Sequence, residues 1–125
     1  MERKYAEFAA TKACELLAID SPSGYTQKAA MWVKEAFEAL GFAAKITTKG
    51  GVLADLGGAD KDDALFLQAH TDTLGAMVAE IKANGRLKLT PLGGLRAENA
   101  ETENVRVHTR TGKIIEGTVQ LCNAS

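Results

Sequence analysis

The stretch "LFLQAHTDTLGAMV" (residues 65–78) decides how this chain is read. A nearly unbroken apolar run, 64–70, ends in His70, one of 2 histidines in 125 residues. Asp72 follows two positions later and Gly75 three after that. Continuous apolar sequence of this length is expected for a strand covered on both faces, as in an α/β sheet. Ligands of open α/β sheets collect outside the carboxyl ends of the strands, where His70 would stand. If the chain stays extended through Thr71, His70 and Asp72 point the same way. The carboxylate then takes a hydrogen bond from one imidazole nitrogen, and the other nitrogen is left for a cation. The tripeptide alone also supports a plainer reading: a strand end, a turn and a satisfied polar residue.

Upstream of this stretch the pattern is helical. Over residues 3–19, Tyr5, Phe8, Ala9, Ala13, Leu16 and Leu17 share one side, with Lys4, Glu7, Thr11 and Glu15 opposite. "DSPSG" (20–24) is turn chemistry, since Pro22 ends the helix and Gly24 frees the backbone. Ser23 or Thr26 is placed to cap a second helix reaching Leu40, whose apolar face is Ala29, Trp32, Val33, Ala36, Phe37 and Leu40. Trp32 reads as core. Gly41 suits the left-handed residue after the helix, with Phe42 folding back on the last turn. "AAKITT" (43–48) and "VLADL" (52–56) read as short strands around Gly50-Gly51, and "GGADKDD" (57–63) as an exposed loop.

Downstream the helical period disappears. Met77, Ala79 and Ile81 alternate with Val78, Glu80 and Lys82, and Leu87 and Leu89 resume the alternation. Asn84-Gly85 between them predicts a type I′ hairpin. Residues 90–104 are polar and irregular and read as a loop, with Gly93-Gly94 as a tight turn. "VRVHT" (105–109) and "GTVQL" (117–121) are further strand candidates. The chain therefore divides near residue 75. Residues 1–75 have α/β character, with helices packed on a mixed sheet, and residues 76–125 form the start of an antiparallel β module.

Composition narrows the function. Hydrophobic residues make up 46% and charged ones 25%, with a formal net charge of -1, so no electrostatic footprint calls for nucleic acid or an anionic membrane. The N-terminal apolar residues are interrupted by Glu2, Glu7 and Glu15, and no stretch approaches the ~20 apolar residues of a membrane span. A cytoplasmic protein is expected, with Cys14 and Cys122 as free thiols; a long-range disulfide between them stays open. Neither cysteine has an activating neighbour in sequence, and no glycine-rich phosphate loop leads from a strand into a helix. Glu98, Glu101 and Glu103 lie in a polar stretch that reads as solvated, and His108 reads as an exposed strand position.

Four segments carry a resemblance to a known family. "AHTDTLGAMV" (69–78) resembles the "AH-x-D-x-[LI]-G-x-MV" segment of dinuclear zinc aminopeptidases of the tetrahedral and glutamyl aminopeptidase type, some members of which carry the name endoglucanase or cellulase M. "SPSGYT" (21–26) is similar to the turn between that family's first two helices. "NGRLKLTPLGG" (84–94) is similar to its "dG-x-L-x-x-x-x-[IL]GG" hairpin and loop, and "NVRVHTRTGKIIEGTV" (104–119) to its barrel strands. The match is collinear and spans nearly the whole chain.

The resemblance implies an α/β catalytic domain with a small β-barrel domain, PDZ-like in outline, inserted after the His-x-Asp strand and used in assembly. It implies that His70 is a metal ligand and that Asp72 orients it. It further implies two divalent metal ions, zinc or cobalt, peptide substrates, and a homo-oligomer built through the β domain. The family's bridging Asp, its Glu base with a Glu ligand beside it, a further acidic ligand and a second His ligand lie beyond the insert. This chain is thus expected to be an N-terminal segment that is inactive alone, since a catalytic zinc takes about three protein ligands. Two rivals remain at this point: a non-catalytic β module whose His70 binds nothing, and another co-catalytic zinc hydrolase of the carboxypeptidase or deacetylase type. The hairpin directly after the His-x-Asp segment favours the aminopeptidase.

Overall fold

The computed structural model describes residues 2–60 and 62–120, so Cys122 and Leu121, the last residue of the "GTVQL" strand candidate, lie outside the described residues. The order is α1 (Arg3–Leu17), α2 (Gln27–Ala39), β1 (Ala44–Ile46), β2 (Val52–Ala54), β3 (Gly75–Ile81), β4 (Leu87–Leu92), α3 (Ala97–Ala100), β5 (Asn104–His108) and β6 (Ile114–Thr118). The fold is mixed α and β, and the described strands pair as three separate two-stranded antiparallel sheets, β1–β2, β3–β4 and β5–β6. The chain divides into two compact units, Met1–Thr73 and Leu74–Ser125.

In the first unit α2 packs on the β1–β2 hairpin and against α1. Ala29, fully buried, and Ala30, nearly so, are the most covered residues of α2. Trp32, Val33, Ala36 and Phe37 are half-buried, as their shared face requires, whereas Leu40 is exposed. The helix ends as its sequence dictates: Gly41 N–H donates to Glu38 O at 2.9 Å and Phe42 N–H to Phe37 O at 3.1 Å, the paired bonds of a Schellman motif. Lys12 Nζ lies 5.5 Å from the Trp32 ring centroid and links α1 to α2. Leu16 is half-buried, but Tyr5, Phe8 and Leu17 on the same apolar side of α1 are exposed. Its helicity rests on propensity and on surface pairs such as Arg3–Glu7 at 2.7 Å, each worth a few tenths of a kcal/mol.

The expected buried strand at 64–70 is not formed among the described residues. Leu65, Phe66 and Leu67 are 85%, 70% and 77% exposed and join no sheet. Apolar continuity reports a tendency to be covered on two faces; a strand also needs a hydrogen-bonded neighbour, and β1 and β2 pair only with each other.

Among the described residues, the second unit holds two hairpins and the one-turn α3. β3 and β4 pair from Gly75↔Leu92 to Ile81↔Leu87, with a bulge between Val78 and Glu80. β5 and β6 pair from Asn104↔Thr118 to His108↔Ile114, and Val119 N–H to Glu103 O extends the ladder at 3.0 Å. The residues read as a 90–104 loop instead carry β4 through Leu92 and then α3. The last strand begins three residues earlier than the 117–121 expected for it.

All three hairpins turn in the same way. Thr47, Lys82 and Thr109 each donate from N–H to the carbonyl four residues on (Gly51, Arg86, Lys113) and accept from the N–H three residues on (Gly50, Gly85, Gly112). Those three glycines have φ of 82°, 79° and 81°. This is the three-residue loop, a β-turn closed by a left-handed glycine, and not the type I′ turn that Asn84-Gly85 suggests. A type I′ turn needs positive φ at both central residues, and Asn84 does not have it.

Candidate metal-ligand site

The site lies within the first unit, where the "SPSG" turn meets the His-x-Asp segment. Ser21 is the anchor and is 1% exposed. Its Oγ donates to Thr71 O at 3.1 Å, and its carbonyl accepts from Thr73 N–H at 2.9 Å. Pro22 and Thr73 form an isolated parallel bridge. Proline is tolerated there because the bond to Thr73 runs through the carbonyl of Ser21 and asks nothing of Pro22's missing N–H. Tyr25 N–H closes the turn onto Pro22 O at 2.8 Å, with Gly24 at φ 86°.

Ser21 therefore grips the backbone on both sides of Asp72, and Ser23 takes hold of its side chain. Ser23 Oγ donates to Asp72 Oδ2 at 2.7 Å. The other oxygen, Oδ1, lies 3.1 Å from His70 Nδ1, which is also 3.1 Å from Asp72 O. The Ser23 hydrogen bond is the main reason the Asp72 carboxyl sits below the ordinary carboxylate range; desolvation opposes it and the His70 ring adds to it. Asp72 is accordingly ionised near neutrality.

That ionisation fixes the imidazole. Both oxygens near Nδ1, a carboxylate and a backbone carbonyl, can only accept, so Nδ1 carries the hydrogen and a neutral ring keeps its lone pair on Nε2. The His70 side chain is 86% exposed. The arrangement can offer one nitrogen ligand, oriented from behind by a carboxylate. It is not a complete metal site: among the described residues no group of three or more His, Cys, Asp or Glu could hold a metal ion. Glu98, Glu101, Glu103 and His108 all belong to the second unit. Glu98 lies on α3, Glu101 and His108 are half-buried, and His108 is thus less exposed than its alternation suggests.

Two residues that matter here have other roles in the sequence reading. Ser23 stands there as a helix cap, but no side-chain cap bond is made at the start of α2, and its hydroxyl serves Asp72 instead. Ser21 carries no local signal beyond its place in a turn. Turn chemistry near "SPSG" is legible locally; its partner 49 positions away is not.

The model of the M42 glutamyl aminopeptidase family matches residues 50–124. The chain belongs to that family. YhfE of Bacillus subtilis (strain 168), provisionally named an aminopeptidase, is 39% identical over 111 residues, which is 89% of this chain and 32% of YhfE. The glutamyl aminopeptidase of Lactococcus lactis subsp. cremoris (strain MG1363) is 29% identical over 101 residues, 80% of this chain and 28% of that enzyme. The chain thus spans about a third of the length of the curated relatives it matches. Membership of the M42 family, a metallopeptidase family, favours the aminopeptidase reading over the carboxypeptidase and deacetylase type. No helix among the described residues is long and apolar enough to cross a membrane.

Proposed function

We propose that this chain is the N-terminal part of a metal-dependent aminopeptidase that removes N-terminal residues from peptides. The observation that carries the reading is the pairing of His70 Nδ1 with Asp72 Oδ1 at 3.1 Å in a chain of the M42 family. His70 supplies one nitrogen ligand through Nε2, and Asp72 holds the ring in the tautomer that makes Nε2 available. Two divalent cations, zinc or cobalt, would supply a polarised water for attack on the peptide carbonyl when bound. The first unit is then part of the catalytic domain, and the second is the beginning of an inserted β domain that closes into a barrel and joins subunits. The remaining ligands and the general base come from sequence beyond this chain, so these 125 residues alone do not hydrolyse peptides.

Hydrolysis of aminoacyl-p-nitroanilides tests this, with the 125-residue chain and with the chain continued to the length of its relatives, each supplied with zinc, cobalt or manganese. Turnover is expected from the longer form alone, and His70→Ala should lower it by at least about 100-fold. Metal-dependent turnover by the short chain, or full activity of the His70→Ala form, would contradict the proposal.

A further inference from the structure

We infer that Ser23 is a positioning residue for His70, acting through Asp72; this rests on the proposed role of His70. A carboxylate torsion is broad and two-fold, so Asp72 has no intrinsic preference for aiming one oxygen at the ring. His70 and Asp72 are also well exposed, 86% and 41% by side chain, and a surface ion pair of this kind is weakly held in water. The Ser23 hydroxyl removes that freedom. At 2.7 Å from Oδ2 it fixes the plane of the carboxylate and leaves Oδ1 facing Nδ1. Ser21 keeps the two segments together independently, through Thr71 O and Thr73 N–H, so loss of the Ser23 hydroxyl frees the carboxylate without undocking the turn. The Asp72 carbonyl, 3.1 Å from Nδ1, favours the same tautomer, and the serine adds to it an aimed carboxylate, although it is remote in sequence and acts only through Asp72.

The test is the tautomer of His70, read from long-range proton–nitrogen correlation spectra of chain labelled with nitrogen-15 histidine, recorded at alkaline pH. His108, in the other unit, serves as the internal reference. Wild-type His70 should show the hydrogen on Nδ1. Ser23→Ala should shift the ring to a mixture of tautomers, and Ser23→Thr, which keeps the hydroxyl, should restore the wild-type spectrum. Ser23→Gly is the second variant in case alanine does not fold, and Trp32 fluorescence checks that the first unit is intact. A His70 spectrum unchanged in Ser23→Ala or Ser23→Gly overturns the inference, as does a wild-type ring protonated on Nε2. In the longer form, Ser23→Ala should lower zinc affinity by about 10-fold. A serine-dependent tautomer without hydrolysis by the longer form would sink the peptidase reading alone. An unchanged tautomer with intact hydrolysis would sink this inference alone.

Discussion

Ser23 and Asp72 are 49 residues apart in sequence and joined by a 2.7 Å hydrogen bond. The bond ties the turn between the two long helices to the segment that carries the candidate ligand. The orientation proposed for the His70 ring depends on that tie, and the docking of the turn on the buried Ser21 beside it.

Ser21→Ala should destabilise the first unit by about 1–2 kcal/mol, because it removes a buried donor and leaves Thr71 O without it. Ser21→Val should cost more, since it also forces an added methyl group into a site that is 1% exposed. Urea unfolding followed by Trp32 fluorescence measures both. A Ser21→Ala chain as stable as wild type would mean that the turn is held elsewhere.

Acid should weaken the same tie in the metal-free chain. The carboxyl of Asp72 is depressed in the folded state, chiefly by Ser23, so its contribution to stability is fully present above the unfolded value of about 3.9. It is lost as pH falls through the lower folded value. The stability difference between wild type and Ser23→Ala should therefore be constant near neutrality and vanish in this acid window. A difference that persists at the lowest pH at which both chains fold would contradict the assignment.

Gly85→Ala should cost about 1 kcal/mol although an added Cβ meets nothing within 4 Å, because the cost is the left-handed backbone at φ 79°. Gly85→Asn should cost less, and Gly94→Ala, with open space and no positive φ, should be near neutral. Amide exchange across β3 and β4 reports the order. Equal protection in the two alanine variants would argue against the three-residue turn.

The exposed apolar run gives the fourth expectation. Leu65→Lys with Phe66→Lys should change stability by no more than about 0.5 kcal/mol, since both side chains are already in water. The pair should also shift a self-associating chain toward monomer in sedimentation, as edge strands and apolar patches seek partners. A loss of several kcal/mol would show that the segment is buried after all.

These cases mark what could be read in advance. The two long helices, the Schellman end at Gly41 and the three hairpins follow from local rules, because periodicity and glycine placement act within a few residues. The dipeptide Asn84-Gly85 points to a type I′ turn, but the pentapeptides "TTKGG", "KANGR" and "TRTGK" share a glycine at the fourth position, and that longer pattern is the one the hairpins follow. The same turn explains the shifted last strand: once Thr109 and Lys113 close the loop, pairing resumes at Ile114. Residues 64–70 defeated the pattern because a strand is a relation between segments. The role of Ser23 is not legible locally for a similar reason: the nearest use for its hydroxyl, a helix cap, lies three residues away, and its partner lies 49 residues on.

Zinc-edge anomalous diffraction from crystals of the chain continued to the length of its relatives tests the central claim most directly. An anomalous peak is predicted about 2.0–2.1 Å from His70 Nε2, with Asp72 Oδ1 still on Nδ1. Zinc bound at sites that exclude His70, or bound to its Nδ1 with Asp72 displaced, would contradict it.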